Sequence, residues 1–104
     1  MKPLKVARWV VGQDLQAIYD YHHSHSPAKA DRILAEYDRI IALLEINPLL
    51  FHPRLNEWRV YPFDSGTYLL YYIEMKEFWL VAGIFHAGRS PNRIQERLAN
   101  REIS

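Results

Sequence analysis

Trp58-Arg59-Val60-Tyr61-Pro62-Phe63, then Asp64-Ser65-Gly66, then Thr67-Tyr68-Leu69-Leu70-Tyr71-Tyr72-Ile73-Glu74 read as two strands joined by a tight turn. β-branched and aromatic residues dominate both runs, and the three residues between them are turn formers. A second turn at Met75-Lys76-Glu77 leads into Phe78 to His86, which is apolar nearly throughout. Together the three runs predict an antiparallel meander. Unbroken apolar character places the last strand in the middle of the sheet, buried on both faces. Gly83 within it predicts a bulge or a close backbone approach.

Upstream of the meander the period changes. Ala30, Ile33, Leu34, Tyr37, Ile40, Ile41 and Leu44 keep the spacing of one helix face. Ser26-Pro27 supplies a cap and a first-turn proline, and Asn47-Pro48 stops the ladder. A shorter helix precedes it, because Leu15, Ile18, Tyr19 and His22 share a face from Gln13 onward. So short a link between two helices predicts an antiparallel hairpin. Leu4 to Val10 alternates and predicts a first strand. Pro48 to Glu57 shows no period and is expected as a loop. Downstream, Ser90-Pro91 repeats the cap-and-proline start, and Ile94 and Leu98 give a short final helix one apolar stripe.

The expected fold class is therefore α+β in one domain spanning residues 1–104. It comprises an N-terminal strand, an antiparallel helix hairpin, a three-stranded antiparallel meander and a short C-terminal helix. The hairpin should cover one face of the sheet, leaving the other face and an edge for a partner.

Composition narrows the function classes. A chain of 104 residues has no room for a separate cofactor domain, and no cofactor is expected. Seven Tyr, four Phe and three Trp provide enough buriable surface for an ordinary core. With no cysteine, thiolate metal sites, disulfides and a cysteine nucleophile are excluded, and the expectation is a reducing cytoplasm. No apolar stretch is long enough for a signal peptide or a membrane span, so a soluble protein with no membrane partner is expected. The net charge of +1 is unevenly spread. Lys2, Lys5 and Arg8 make the first ten residues basic, six acids against three bases make residues 11 to 50 acidic, and the C-terminal end is basic again.

Several stretches in this order resemble the ParE/RelE superfamily of toxins from type II toxin–antitoxin pairs. Asp14-Leu15-Gln16-Ala17-Ile18-Tyr19-Asp20-Tyr21 is similar to the family's first helix, and Leu43-Leu44-Glu45-Ile46-Asn47-Pro48 to its helix ending before proline. Arg59-Val60-Tyr61-Pro62-Phe63 followed by Tyr68-Leu69-Leu70-Tyr71-Tyr72 resembles its paired central strands. Val81-Ala82-Gly83-Ile84-Phe85-His86-Ala87-Gly88-Arg89 resembles the ending of the ParE, or plasmid-stabilisation, branch. That branch often closes the motif with two arginines and an aspartate, where this chain has Gly88, Arg89 and Ser90.

The resemblance implies the RelE/ParE-like fold and a toxin neutralised by a cognate antitoxin within a hetero-oligomer. For the ParE branch it implies a non-enzymatic inhibitor of DNA gyrase. For the RelE branch it implies an mRNA endoribonuclease acting on the ribosome. Cleavage by a 2′-hydroxyl needs a proton acceptor, cations at the phosphate and a donor for the leaving oxygen. RNA-cleaving relatives commonly carry an arginine where this chain has Tyr68, and often a histidine or tyrosine near the C-terminus, which is absent here. A phenol cannot supply the fixed charge of a guanidinium, so the ParE branch is preferred. Were the chain an RNase, Arg59, His86 and Arg89 would be the catalytic candidates, converging on one sheet face.

Arg59, Arg89, Arg93 and Arg97 are the candidate target-binding residues. Arg89, Arg93, Arg97 and Arg101 recur every four residues, which reads either as a contact stripe or as a solvated helix face. Leu49, Leu50 and Phe51 are the candidate antitoxin-docking residues, and the resemblance implies an antitoxin tail that folds onto the toxin. His22, His23 and His25 match no zinc spacing and are expected on the surface, with no metal. His86 is expected to satisfy backbone groups of the following turn. Tyr68, Tyr71, Tyr72, Trp79 and Phe85 are expected in the core, not as a base-stacking platform. Arg59, in an apolar strand, should reach solvent on the open face or pair with Asp64 or Glu74.

Overall fold

The computed structural model of the protein describes residues 2–101. Met1 and the end of the basic tail, Glu102-Ile103-Ser104, lie outside them. The chain is α+β, with a sheet of five strands in the order β1-β5-β4-β3-β2. These are β1 (Leu4–Val6), β2 (Pro53–Leu55), β3 (Trp58–Phe63), β4 (Tyr68–Glu74) and β5 (Trp79–His86). The helices are α1 (Gln16–His23), α2 (Pro27–Ile46) and α3 (Pro91–Asn100). No helix of the described residues is long and apolar enough to cross a membrane.

The meander forms as expected. Arg59 faces Tyr72 and Phe63 faces Tyr68 across β3 and β4, and Tyr68 faces His86 across β4 and β5. β5 is an inner strand with all but His86 buried. Its ladder slips by one residue, since Tyr71 pairs with Gly83 while Tyr72 pairs with Val81. That bulge at Ala82 reverses the face of every later side chain. Trp79 and Val81 therefore share the hairpin face with Ile84, while Leu80 and Ala82 share the opposite face with Phe85.

Three expectations need correction. The sheet has five strands, because Pro53–Leu55, inside the expected loop, pairs with β3. Two prolines nearby hide this strand, and Pro53 is tolerated because it sits at the sheet edge. The first strand stops at Val6 and runs parallel to β5, although its alternation continues to Val10. The chain turns helical at Arg8 and passes through a π-helical segment, Val10–Leu15, in which the Gln16 amide reaches back to the carbonyls of Val11 and Gln13. Lastly, the second sheet face is not left open. Ile94 and Leu98 of α3 are buried there with Trp58, Val60, Tyr71 and Phe85.

The hairpin covers the first face. Ile33, Tyr37, Ile40 and Leu44 of α2 pack on Phe63, Leu70, Tyr72 and Val81. Ser26 caps α2 by accepting from the Lys29 amide, and Pro27 opens it, as its sequence requires. Tyr72 is fully buried, and its hydroxyl donates to the Pro48 carbonyl at 2.8 Å, tying the end of α2 to the sheet. The β3–β4 turn holds Asp64, Ser65 and Gly66 all at positive φ. The Asp64 amide is satisfied by the Glu36 carboxylate at 3.0 Å, which secures that strained turn to α2.

Candidate target-binding surface

A group of arginines lies on the outer side of α3. Ser90 accepts from the Arg93 amide and Pro91 follows, so the helix begins where Arg89 has just left β5. Burial of Ile94 and Leu98 turns the opposite side of the helix outward. Arg89, Arg93 and Arg97 are exposed there and line a cavity of about 540 Å³ with Glu96 and Asn100. Arg89 also lies over the Phe85 ring, 5.7 Å from its centroid.

Arg101 leaves this stripe. Just past the last turn its backbone extends, and its side chain returns inward to Asp14 and to the Ala82 carbonyl at the bulge. Of the four-residue arginine series, three members thus form the surface and the fourth fastens the helix.

The three RNase candidates are not brought together. His86 and Arg89 share a groove of about 310 Å³ with Tyr68, Arg97 and Arg101. Arg59 lies on β3 at the level of Tyr72, whereas His86 on β5 is level with Tyr68. Four residues along and two strands across put their Cα atoms roughly 16 Å apart. Arg59 also reaches neither Asp64 nor Glu74. It donates to the Phe51 carbonyl and lies over the Trp79 ring at 5.3 Å, so a backbone acceptor and an aromatic face satisfy it on the hairpin side. Asp64 is instead near Lys29, and Glu74 pairs with Lys2.

His86 is exposed, and its Nδ1 accepts the Gly88 amide at 2.9 Å, the expected service to the turn. Tyr68 is buried under α1, with its hydroxyl 2.8 Å from His22 Nε2. Burial, then Asp64 and Tyr21, raises the Tyr68 pKa above its ordinary value, so the phenol stays neutral and offers no charge. His22 is thereby a buried residue, contrary to the expectation for the three histidines, while His23 and His25 are exposed. Among the described residues no cluster of His, Cys, Asp or Glu could hold a metal ion. Tyr71, Tyr72, Trp79 and Phe85 are core residues as expected.

The loop expected to dock the antitoxin follows the end of α2. Leu49 and Leu50 are exposed, at 61% and 42%, beside Ile46 at 73%. Phe51 is half-buried, edge-on to Tyr61 at 4.7 Å, and Arg59 holds its carbonyl. Sequence reasoning missed three residues of the arginine-lined surface, Arg8, Trp9 and Asp14. Arg8 and Trp9, assigned to a strand, line a groove of about 370 Å³ together with Arg97, Asn100 and Arg101. Asp14 holds the C-terminal arginine. The basic character of both chain ends was visible in the sequence, but their meeting was not.

No curated protein matches the chain. A family model described as the ParE toxin of the type II toxin–antitoxin system parDE matches residues 11–91. The matched region takes in the helix hairpin and β2 to β5, and it leaves Arg8, Arg93 and Arg97 outside. Since it spans well over half of the chain, with the fold read above, the protein belongs to the ParE toxin family of type II toxin–antitoxin systems.

Proposed function

We propose that this single-domain toxin, spanning residues 1–104, inhibits DNA gyrase without doing chemistry and is neutralised in the cytoplasm by a cognate antitoxin in a hetero-oligomer. The observation that carries the reading is Tyr68. Where RNA-cleaving relatives place an arginine, this chain has a buried neutral phenol engaged by His22. A phosphate in transition would find no fixed charge there. The roughly 16 Å between Arg59 and His86 argues in the same direction. Arg89, Arg93 and Arg97 are the proposed target contacts, while Arg59, expected among them, holds the Phe51 carbonyl and so braces the loop proposed for the antitoxin. Leu49, Leu50 and Phe51 are the proposed antitoxin contacts.

The alternative is ribosome-dependent mRNA cleavage, favoured only by His86 and Arg89 sharing a groove. Two assays on purified toxin separate the readings: gyrase supercoiling, and primer-extension mapping of messages in a translation extract. Blocked supercoiling or trapped cleaved DNA with intact messages supports gyrase inhibition. Message cuts with gyrase untouched would overturn it and return His86 and Arg89 to a catalytic role.

A further inference from the structure

The two basic chain ends, far apart in sequence, meet on one surface. Arg97 and Asn100 line both the α3 cavity and the groove that holds Arg8, so the two depressions adjoin. Arg8, Arg89, Arg93 and Arg97 are all exposed, and none of them forms an ion pair among the described residues. The carboxylates lining these depressions and the neighbouring groove are Glu96 and Asp14. Asp14 is already paired with Arg101, so among the described residues that line these depressions four guanidinium charges face one other carboxylate, Glu96. Arg93 and Arg97 stand one helical turn apart, about 6 Å along the axis.

We infer that Arg8, Arg89, Arg93 and Arg97 form a phosphodiester-binding groove through which the toxin itself holds duplex DNA. A guanidinium fork suits phosphate and carboxylate alike, so the choice of occupant rests on what the groove lacks. The apolar side chains of α3, Ile94 and Leu98, are 1% and 0% exposed. An acidic peptide would meet charge beside one half-buried ring, Trp9, whose indole N–H is already held by the Ala82 carbonyl, whereas protein interfaces depend on several buried anchors. Nucleic acid needs no such anchor, because contacts to backbone phosphates supply most of its sequence-independent affinity. Asn100, Gln13 and His86 add further hydrogen-bonding groups beside the arginines. The choice of DNA over RNA rests on the gyrase reading, since a protein that traps broken DNA works beside exposed phosphates.

The test is fluorescence anisotropy of the purified full-length toxin with a labelled mixed-sequence DNA duplex, between about 50 and 200 mM salt. Four phosphate contacts predict a slope of log K against log salt of about −3.6. Arg8→Ala, Arg93→Ala and Arg97→Ala should each weaken binding and reduce the slope by about 1. Arg32→Ala and Arg39→Ala, exposed on α2, should leave it unchanged. Absent or salt-independent binding, or groove variants that match wild type, would overturn the inference. So would tighter binding of an acidic peptide, or of single-stranded RNA of equal charge. Gyrase inhibition without DNA binding by the toxin alone removes the groove and leaves the gyrase reading. DNA binding without gyrase inhibition keeps the groove and removes gyrase.

Discussion

The guanidinium of Arg101 clasps the carboxylate of Asp14 across 87 residues of chain, Nη2 to Oδ1 at 2.7 Å and Nη1 to Oδ2 at 2.9 Å. Their side chains are 9% and 10% exposed. Nη1 also reaches the Ala82 carbonyl at 2.8 Å, and Oδ2 accepts the Ile84 amide at 3.0 Å. The π-helical segment, the β5 bulge and the end of α3 therefore converge on one carboxylate. Removing one partner leaves a buried charge, which costs roughly 3–5 kcal/mol. Urea denaturation of Asp14→Ala and Arg101→Ala should show losses of that order. The double variant should lose less than their sum, because neither charge is then stranded. An unchanged midpoint in either single variant would show that the clasp contributes nothing to stability.

Gly83 makes this clasp possible. A Cβ there would lie 2.6 Å from Phe85 Cε2 and 2.8 Å from Arg101 Nη1. One neighbour is a ring locked in the core and the other is a guanidinium held by Asp14. Gly83→Ala should therefore destabilise the fold by about 1–3 kcal/mol, as overpacking does. In an Arg101→Ala background the added cost should shrink, since one of the two clashes is gone. Equal costs in both backgrounds would place the strain on Phe85 alone.

Acid should weaken the fold through His22. Burial chiefly, and then Lys29, lowers its pKa from the ordinary 6.5, with His25 adding to the effect and Asp64 opposing it. The unfolded chain therefore takes up the proton first as pH falls. The contribution to stability is full above pH 6.5 and declines as pH drops from there toward the lowered folded value. Denaturation midpoints measured from pH 7.5 downward should fall more steeply in wild type than in His22→Gln. Parallel profiles would assign the acid sensitivity to other groups.

How much of this was legible in the chain depends on whether the signal was local. Ser26-Pro27, Asn47-Pro48 and Ser90-Pro91 marked helix ends at their true places, because caps and prolines act within a turn. Gly83 marked the bulge, because only a missing side chain explains glycine in a buried strand. The strand at Pro53 was hidden, since its pairing with β3 is a tertiary choice that overrides local breaker residues. Val6 to Val10 continued the alternation of β1 and concealed the helical start. His22 was half legible: its place on the α1 stripe pointed inward, but its partner Tyr68 lies 46 residues on. Likewise the basic surface was readable as composition at each end, and only the fold joined Arg8 to α3.

The exposed apolar residues after α2 carry the remaining prediction. Ile46, Leu49 and Leu50 stay exposed although β3 and β4 bury aromatic residues nearby, and Arg59 and Tyr72 both brace the loop from below through the carbonyls of Phe51 and Pro48. A braced, exposed apolar loop is already ordered before a partner folds onto it, so the toxin side adds little ordering cost to binding. Leu50→Asp and Leu49→Asp should leave toxin stability within about 0.5 kcal/mol, as expected of exposed positions. Affinity for the antitoxin, measured by calorimetry or by competition against wild-type toxin, should fall by roughly 2 kcal/mol if either residue is an interface anchor, about thirtyfold. Phe51→Ala should add a loss of stability, because its ring meets Tyr61 edge-on. Unchanged affinity in both aspartate variants would move the antitoxin off this loop.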